Sequence, residues 1–330
     1  MNTILVTGGG GFVGSALVAR LCEQGHRVTA LARHYYPELE RHGGRSLIGD
    51  ITDLDCVRRS CRDVETVFHV AAKAGIWGRR QEYEQTNVHG TVNVIQACRE
   101  NGVARLVYTS TPSVVFDRAD ITGGDETLPY SDNFLCHYAR SKARAEHQVL
   151  AANSERLKTC AIRPHLIWGP GDPHLIPRLV DRGRRRELSI VGDGTNQVDI
   201  SYIDNVVHAH LLAWQCLEKS DKCGGQAYFI GQEHPVKLWR WINELFAELQ
   251  IPPVRRRVAR PLAYCAGALL ETVYRSLNLR GEPKMTRFLA EQLSRSHYFS
   301  HAKALRDIGY QPIVSLAEGQ QRLLTWIRSI

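Results

Sequence analysis

A short apolar run rich in β-branched side chains, Thr3–Thr7 (TILVT), leads directly into four glycines at 8–11, after which FVGSALVARLCEQG takes up a helical period that stops at Gly25. Strand, tight turn and helix in that order constrain the chain more than any other feature. The glycines at 8, 11 and 14 have a G-x-x-G-x-x-G spacing. Gly8 permits the turn, Gly11 lets backbone N–H groups approach a pyrophosphate, and Gly14 lets the helix pack on the strand. The helix N-terminus, with Phe12 and Val13 in its first turn, adds partial positive charge. These residues predict a dinucleotide site.

The next apolar run, residues 26–32, ends where such a domain meets the adenosine ribose. A carboxylate there would hold the two ribose hydroxyls and repel a 2′-phosphate. This chain has Ala32 followed by Arg33, which predicts NADP(H). Further apolar runs at 46–48, 66–70, 105–109 and 159–163 alternate with helical patterns near 53–61, 83–101 and 135–152. The alternation predicts an α/β fold, a doubly wound parallel sheet of the Rossmann kind, with its crevice at the carboxyl ends of the strands. Asp50 and Ile51 follow one strand and are expected at the adenine; Ala71 and Ala72 follow another and let backbone lie against the cofactor. The regular pattern is lost after Pro164. Residues 1–168 are expected to form the NADP-binding domain, with returning elements at 196–232, and residues 169–195 and 233–330 a smaller, mostly helical substrate lobe.

Composition narrows the functional classes. The 330 residues are 43% hydrophobic and 23% charged, an ordinary soluble balance. The formal charge of +8 attracts anions, yet no concentrated basic tail accompanies it, so nucleic acid is not expected as a partner. Nine scattered cysteines without a C-x-x-C pair predict reduced thiols and a cytoplasmic location. His208 and His210 lack further ligand spacing, so no metal is expected. No charged leader precedes the first strand, and the uncharged stretch at 261–270 is too short to span a bilayer.

Tyr138 and Lys142, in HYARSK, stand one helical turn apart. Alone the pair means little. Its company gives it meaning: TGGGGFVG at 7–14, GDITD at 49–53, HVAAKAG at 69–75, NVHGT at 87–91, YTSTPSVV at 108–115 and RPHLIWGPGD at 163–172. Together these resemble the extended short-chain dehydrogenase/reductases, and within them the 3β-hydroxysteroid dehydrogenase-like branch. AAKAGIWG, IWGPGD and the late TRFLAEQL are most similar to the bacterial 2-alkyl-3-oxoalkanoate reductases of long-chain olefin biosynthesis.

The resemblance implies roles residue by residue. Tyr138 is the acid/base, Lys142 its partner and the holder of the nicotinamide ribose, Thr111 a hydrogen-bond donor to the substrate oxygen, and Asn87 the holder of a relay water. His165, after the arginine-proline pair, is implied at the cofactor. A free phenol has a pKa near ~10, so an ammonium nearby is expected to loosen its proton. Sugar-nucleotide dehydratases of the superfamily carry Asp-Glu after the catalytic threonine; here Pro112 and Ser113 follow, against dehydration.

The implied reaction is NADPH-dependent reduction of the 3-keto group of a 2-alkyl-3-oxo acid bearing long alkyl chains. Lys73 is expected to hold the carboxylate and Trp77 to line the pocket. A steroid or sterol dehydrogenase is the rival enzyme, and a non-catalytic NADP-binding regulator the rival of another class. The resemblance further implies a homodimer through residues 83–101 and 135–152, and association with the acyl-condensing and β-lactone-forming enzymes of the olefin pathway. The apolar clusters between 258 and 293, with arginines at their margins, suit either a greasy channel or a lipid surface.

Overall fold

The computed structural model describes residues 1–329. Seven parallel strands form the main sheet: β1 (Thr3–Thr7), β2 (Arg27–Ala32), β3 (Arg45–Ile48), β4 (Thr66–His69), β5 (Arg105–Thr109), β6 (Lys158–Pro164) and β7 (Gln226–Ile230). Their spatial order is β7-β6-β5-β4-β1-β2-β3. The direction of winding reverses between β1 and β4, and the crevice at that switch lies outside their carboxyl ends. Thr7 pairs with His69 there.

Consecutive residues of β1 are buried, Ile4, Leu5 and Val6 alike, as a strand covered on both faces requires. Leu5, Leu31, Val67, Leu106 and Ala161 point into one core. Ile4, Val6, Ala30, Phe68, Val107 and Ile162 point into the other. Helices α1 (Phe12–Glu23) and α4 (Ile203–Lys219) pack together on one side; α2 (Gly90–Glu100) and α3 (His137–Ala151) pack together on the other. A single turn, Arg80–Tyr83, and a π-helical stretch, Glu84–His89, lead into α2.

A second sheet of four short strands joins Val236–Lys237, Gln197–Val198, His297–Phe299 and Ile121–Gly124. Two of these differ from the expected division, because Ile121–Gly124 falls within 1–168 and Gln197–Val198 within 196–232. Their register is set by distant partners, Ile121 with His297 and Val198 with His297, which local periodicity cannot reveal. The C-terminal helices α5 (Arg260–Ser276) and α6 (Arg287–Ser294) pack against each other.

Candidate active site

The glycine loop is built by close approach. Gly8 has φ +72°, and a Cβ there would lie 2.7 Å from the Ala71 Cα and N. A Cβ on Gly14 would lie 2.1 Å from the Gly8 carbonyl oxygen, so only glycine lets α1 seat on the turn. Gly11 is the N-cap of α1 and no side chain caps the first turn, Phe12 and Val13 included. Unpaired N–H groups at a helix N-terminus fit a pyrophosphate. Gly9 and Gly10, outside the 8, 11, 14 spacing, are also closely approached: added Cβ atoms would strike the Ala30 side chain and the Tyr36 ring. Nothing in the spacing pointed to Tyr36.

At the end of β2, Ala32 is buried and Arg33 exposed. Asp50 accepts from the backbone N–H and hydroxyl of Thr52, both at 2.9 Å, and stays partly exposed. Ile51 is buried against Gly90, whose missing Cβ makes the room. Ala71 donates its N–H to the Thr7 hydroxyl, and Ala72 is exposed beside it.

Tyr138 and Lys142 lie on one face of α3, one turn apart. Thr111 follows β5 and caps the 3₁₀ turn Pro112–Val114; its hydroxyl accepts from the Ser113 N–H and contacts the Ser113 hydroxyl at 3.2 Å. Tyr138 packs into an apolar cluster with Ile76, Val114, Phe116, Phe134 and Phe299. Burial pushes its phenol up to about 12, against a hydrogen bond with Thr111 that pulls it down. The Lys142 ammonium donates to the Thr109 carbonyl at 2.6 Å and lies 4.0 Å from the Tyr108 ring centroid. Burial lowers Lys142 to about 7, with Glu146 opposing. The expected loosening of the phenol by the ammonium is therefore corrected: burial is the largest influence on each group, and Lys142 is not among the groups that shift Tyr138.

Asn87 lies in the π-helical stretch. Its Oδ1 accepts from the Lys73 N–H at 2.7 Å, and its Nδ2 donates to the Lys73 carbonyl at 3.1 Å and the Ser141 hydroxyl at 2.8 Å. Its amide thus ties a loop to α3. Ser141 in turn donates to the Tyr138 carbonyl. A second row of bonds, missed in the sequence, reaches Asn87 from the glycine loop. The Thr7 hydroxyl and His69 Nδ1 lie 2.7 Å apart, and His69 Nε2 and the Thr91 hydroxyl 2.9 Å apart; Thr91 donates to the Asn87 carbonyl. Since Thr91 is a donor to that carbonyl, it accepts from His69 Nε2–H, and Thr7 donates to Nδ1. Burial, then the nearby Lys142, lower His69 to about 3, so it is neutral.

The remaining expected residues have other company. Lys73, expected at a substrate carboxylate, pairs with Glu82 at 2.9 Å, and the two are spaced too far in sequence for helical pairing to foretell it. Trp77 packs edge-on to Tyr274 of α5 and under the Arg275 guanidinium, 5.2 Å from its centroid. His165 is buried, and its Nε2 lies 2.7 Å from Nδ1 of His297 in the small sheet. His210 uses both ring nitrogens within the protein, at Thr109 and Val206.

A family profile described as 3-beta hydroxysteroid dehydrogenase/isomerase matches residues 5–259. The chain belongs to this family. Within it, the chain is 49% identical over 323 residues to a 2-alkyl-3-oxoalkanoate reductase of Stenotrophomonas maltophilia (strain K279a), covering 97% of this chain and 98% of that one. It is 33% identical to the decarboxylating sterol-4-alpha-carboxylate 3-dehydrogenase of Mus musculus, covering 96% and 88%. Among solved structures, MoeE5 in complex with UDP-glucose and NAD superposes with a TM-score of 0.77 at 27% identity, covering 99% of each chain. As a 3-beta hydroxysteroid dehydrogenase/isomerase family member of the extended short-chain dehydrogenase/reductase type, the chain is a nicotinamide-dependent oxidoreductase acting on CH–OH groups.

Proposed function

We propose that the chain uses NADPH to reduce the 3-keto group of a 2-alkyl-3-oxo acid with long alkyl chains to the 3-hydroxy acid, in olefin biosynthesis. The observation that carries this reading is Tyr138, half-enclosed by apolar side chains and one turn from a buried Lys142, after a threonine-capped turn at the switch crevice. The name of the 49% identical relative supports the substrate class. Arg33, in place of a carboxylate at the end of β2, supports NADP(H).

A reduced nicotinamide supplies the hydride when bound. Gly8, Gly11, Phe12, Val13 and Gly14 would cradle the pyrophosphate, with Asp50, Ile51, Ala71, Ala72 and His165 along the same crevice. Lys142 would hold the ribose hydroxyls. Thr111 donates a hydrogen bond to the ketone oxygen as it gains charge, and Tyr138 delivers its proton to that oxygen. A phenol held near 12 is fully protonated at neutral pH, which suits an acid in the reducing direction. Apolar walls exclude water and accommodate alkyl chains. Lys73 would exchange Glu82 for the substrate carboxylate, and Trp77 would close that side. The same reading includes a homodimer through 83–101 and 135–152, tested by light scattering, and assembly with the acyl-condensing and β-lactone-forming enzymes.

The test follows NADPH absorbance with 2-alkyl-3-oxo acids, steroids and nucleotide sugars. Rapid oxidation with the oxo acids alone is expected. Robust NAD-linked steroid oxidation instead would replace this reading with the sterol one. In the same assay Arg33→Asp should shift preference from NADPH towards NADH by about tenfold or more. Lys73→Met should raise KM for the oxo acid about tenfold, and an unchanged KM removes that residue from the site.

A further inference from the structure

Two cations approach the Ile76–Trp77 corner of the candidate site, and only one of them has its own acid. Ile76 packs into the cluster around Tyr138, which sets Trp77 beside that wall. The Tyr83 hydroxyl holds the corner, 2.9 Å from the Gly75 and Trp77 carbonyls, and the Lys73 ammonium lies 5.4 Å from the Tyr83 ring centroid. Trp77 itself meets Tyr274 edge-on and carries the Arg275 guanidinium over its ring, 5.2 Å from the centroid. Burial lowers His137, the residue before Tyr138, and the charges of Arg275, Arg140 and Arg80 lower it further. Arg140 stands two positions past Tyr138, off its helix face. Of the three, Arg275 is the one stacked on the loop.

The acids of this corner are taken by other cations. Glu82 and Glu282, which both act on Tyr83, pair with Lys73 and Arg178, each at 2.9 Å. Glu271 is buried and accepts from the Arg287 N–H at 2.8 Å and from its guanidinium at 3.0 and 2.8 Å. Arg275 reaches the Glu271 carboxylate only at 3.7 Å, beyond hydrogen-bond length, and its side chain stays 57% exposed. Its N–H donors make no hydrogen bond among the described residues. The indole therefore fixes the plane of a guanidinium whose fork is unspent.

We propose that Arg275 selects for an acid substrate, its fork taking both oxygens of the carboxylate over Trp77 with Lys73 as the second cation. A 3-oxo acid carries its carboxylate one carbon away from the ketone carbon, so the cation that holds it must project from the wall beside Tyr138, as this corner does. Arg275 gives up only a 3.7 Å contact on binding, whereas Lys73 must leave Glu82 at 2.9 Å. Placing the ketone at Tyr138 and Thr111 rests on the ketoreductase reading; capture of a carboxylate by Arg275 does not.

The experiment titrates the full chain with decanoate and with decanol by calorimetry, and compares turnover of a 2-alkyl-3-oxo acid with that of the matching ketone lacking the carboxylate. The wild type should bind decanoate about tenfold more tightly than decanol. Arg275→Met should erase that difference by weakening decanoate alone, and Arg275→Lys, which keeps the charge without the fork, should restore part of it. In turnover Arg275→Met should raise KM for the oxo acid about tenfold, with kcat within about twofold of wild type and the ketone KM unchanged. Unaltered decanol binding and circular dichroism will show that the variant is folded. Equal binding of decanoate and decanol by the wild type overturns the proposal, as does undiminished decanoate binding by Arg275→Met or equal weakening of both ligands. An oxo-acid KM that the substitution leaves alone also overturns it and keeps the ketoreductase reading intact. Decanoate binding that needs Arg275, in a chain that reduces no oxo acid, supports the carboxylate site and ends the ketoreductase reading instead.

Discussion

Lys142 shows how little a residue's chemistry follows from its identity alone. Its ordinary value of 10.5 falls to about 7 because burial outweighs the attraction of Glu146. Between about pH 7 and 10.5 the unfolded chain therefore holds a proton at this lysine that the folded chain has shed. Folding stability should rise with pH across that window, and the full desolvation cost should be present below it. Lys142→Met should remove that slope, seen as a flat dependence of the urea midpoint on pH, while lowering kcat by about 10²–10⁴-fold. Tyr138→Phe should lower kcat to a similar extent and leave stability near wild type, which separates the acid from its buried neighbour. Spacing and company singled out both residues as candidates on one helix face. The direction of their shifts was not legible, since burial of the phenol depends on Val114 and Phe116 from one other part of the chain and Phe299 from a second.

At the scale of elements, the glycine turn and α1 act as one unit. Gly14→Ala would drive a Cβ into the Gly8 carbonyl and push the helix off the turn. The dinucleotide KM should rise by about tenfold or more, with the oxo-acid KM little changed, as steady-state assays with each substrate varied will show. The βα alternation was legible because β-branched runs, glycine stops and helical periods repeat along the first 165 residues. Three things escaped that reading for physical reasons. The π-helical stretch at Glu84–His89 has no composition of its own; it exists because Asn87, Thr91 and Ser141 satisfy one another. The small sheet pairs Ile121 and Val198 with His297, far along the chain from both. The pairing of Lys73 with Glu82 depends on how a loop folds back.

Across the whole molecule, one buried ion pair ties the sheet to α3. Arg163 of β6 binds Glu146 of α3 through Nε at 2.9 Å and Nη2 at 2.5 Å, and the Tyr130 hydroxyl donates to the same carboxylate. Glu146→Ala would strand the guanidinium among apolar side chains and should cost about 3–5 kcal/mol, measured by denaturant unfolding. It would also take away the charge that supports Lys142, so the pH dependence of that lysine should move further down. The line from Thr7 through His69 and Thr91 to Asn87 has a different bearing on the molecule. Each of its protons faces the same way along the row, so reversing any one member would set lone pair against lone pair at the next. Such a row tolerates a hydroxyl for a hydroxyl, serine for threonine, but the loss of any one donor leaves a buried neighbour unpaired.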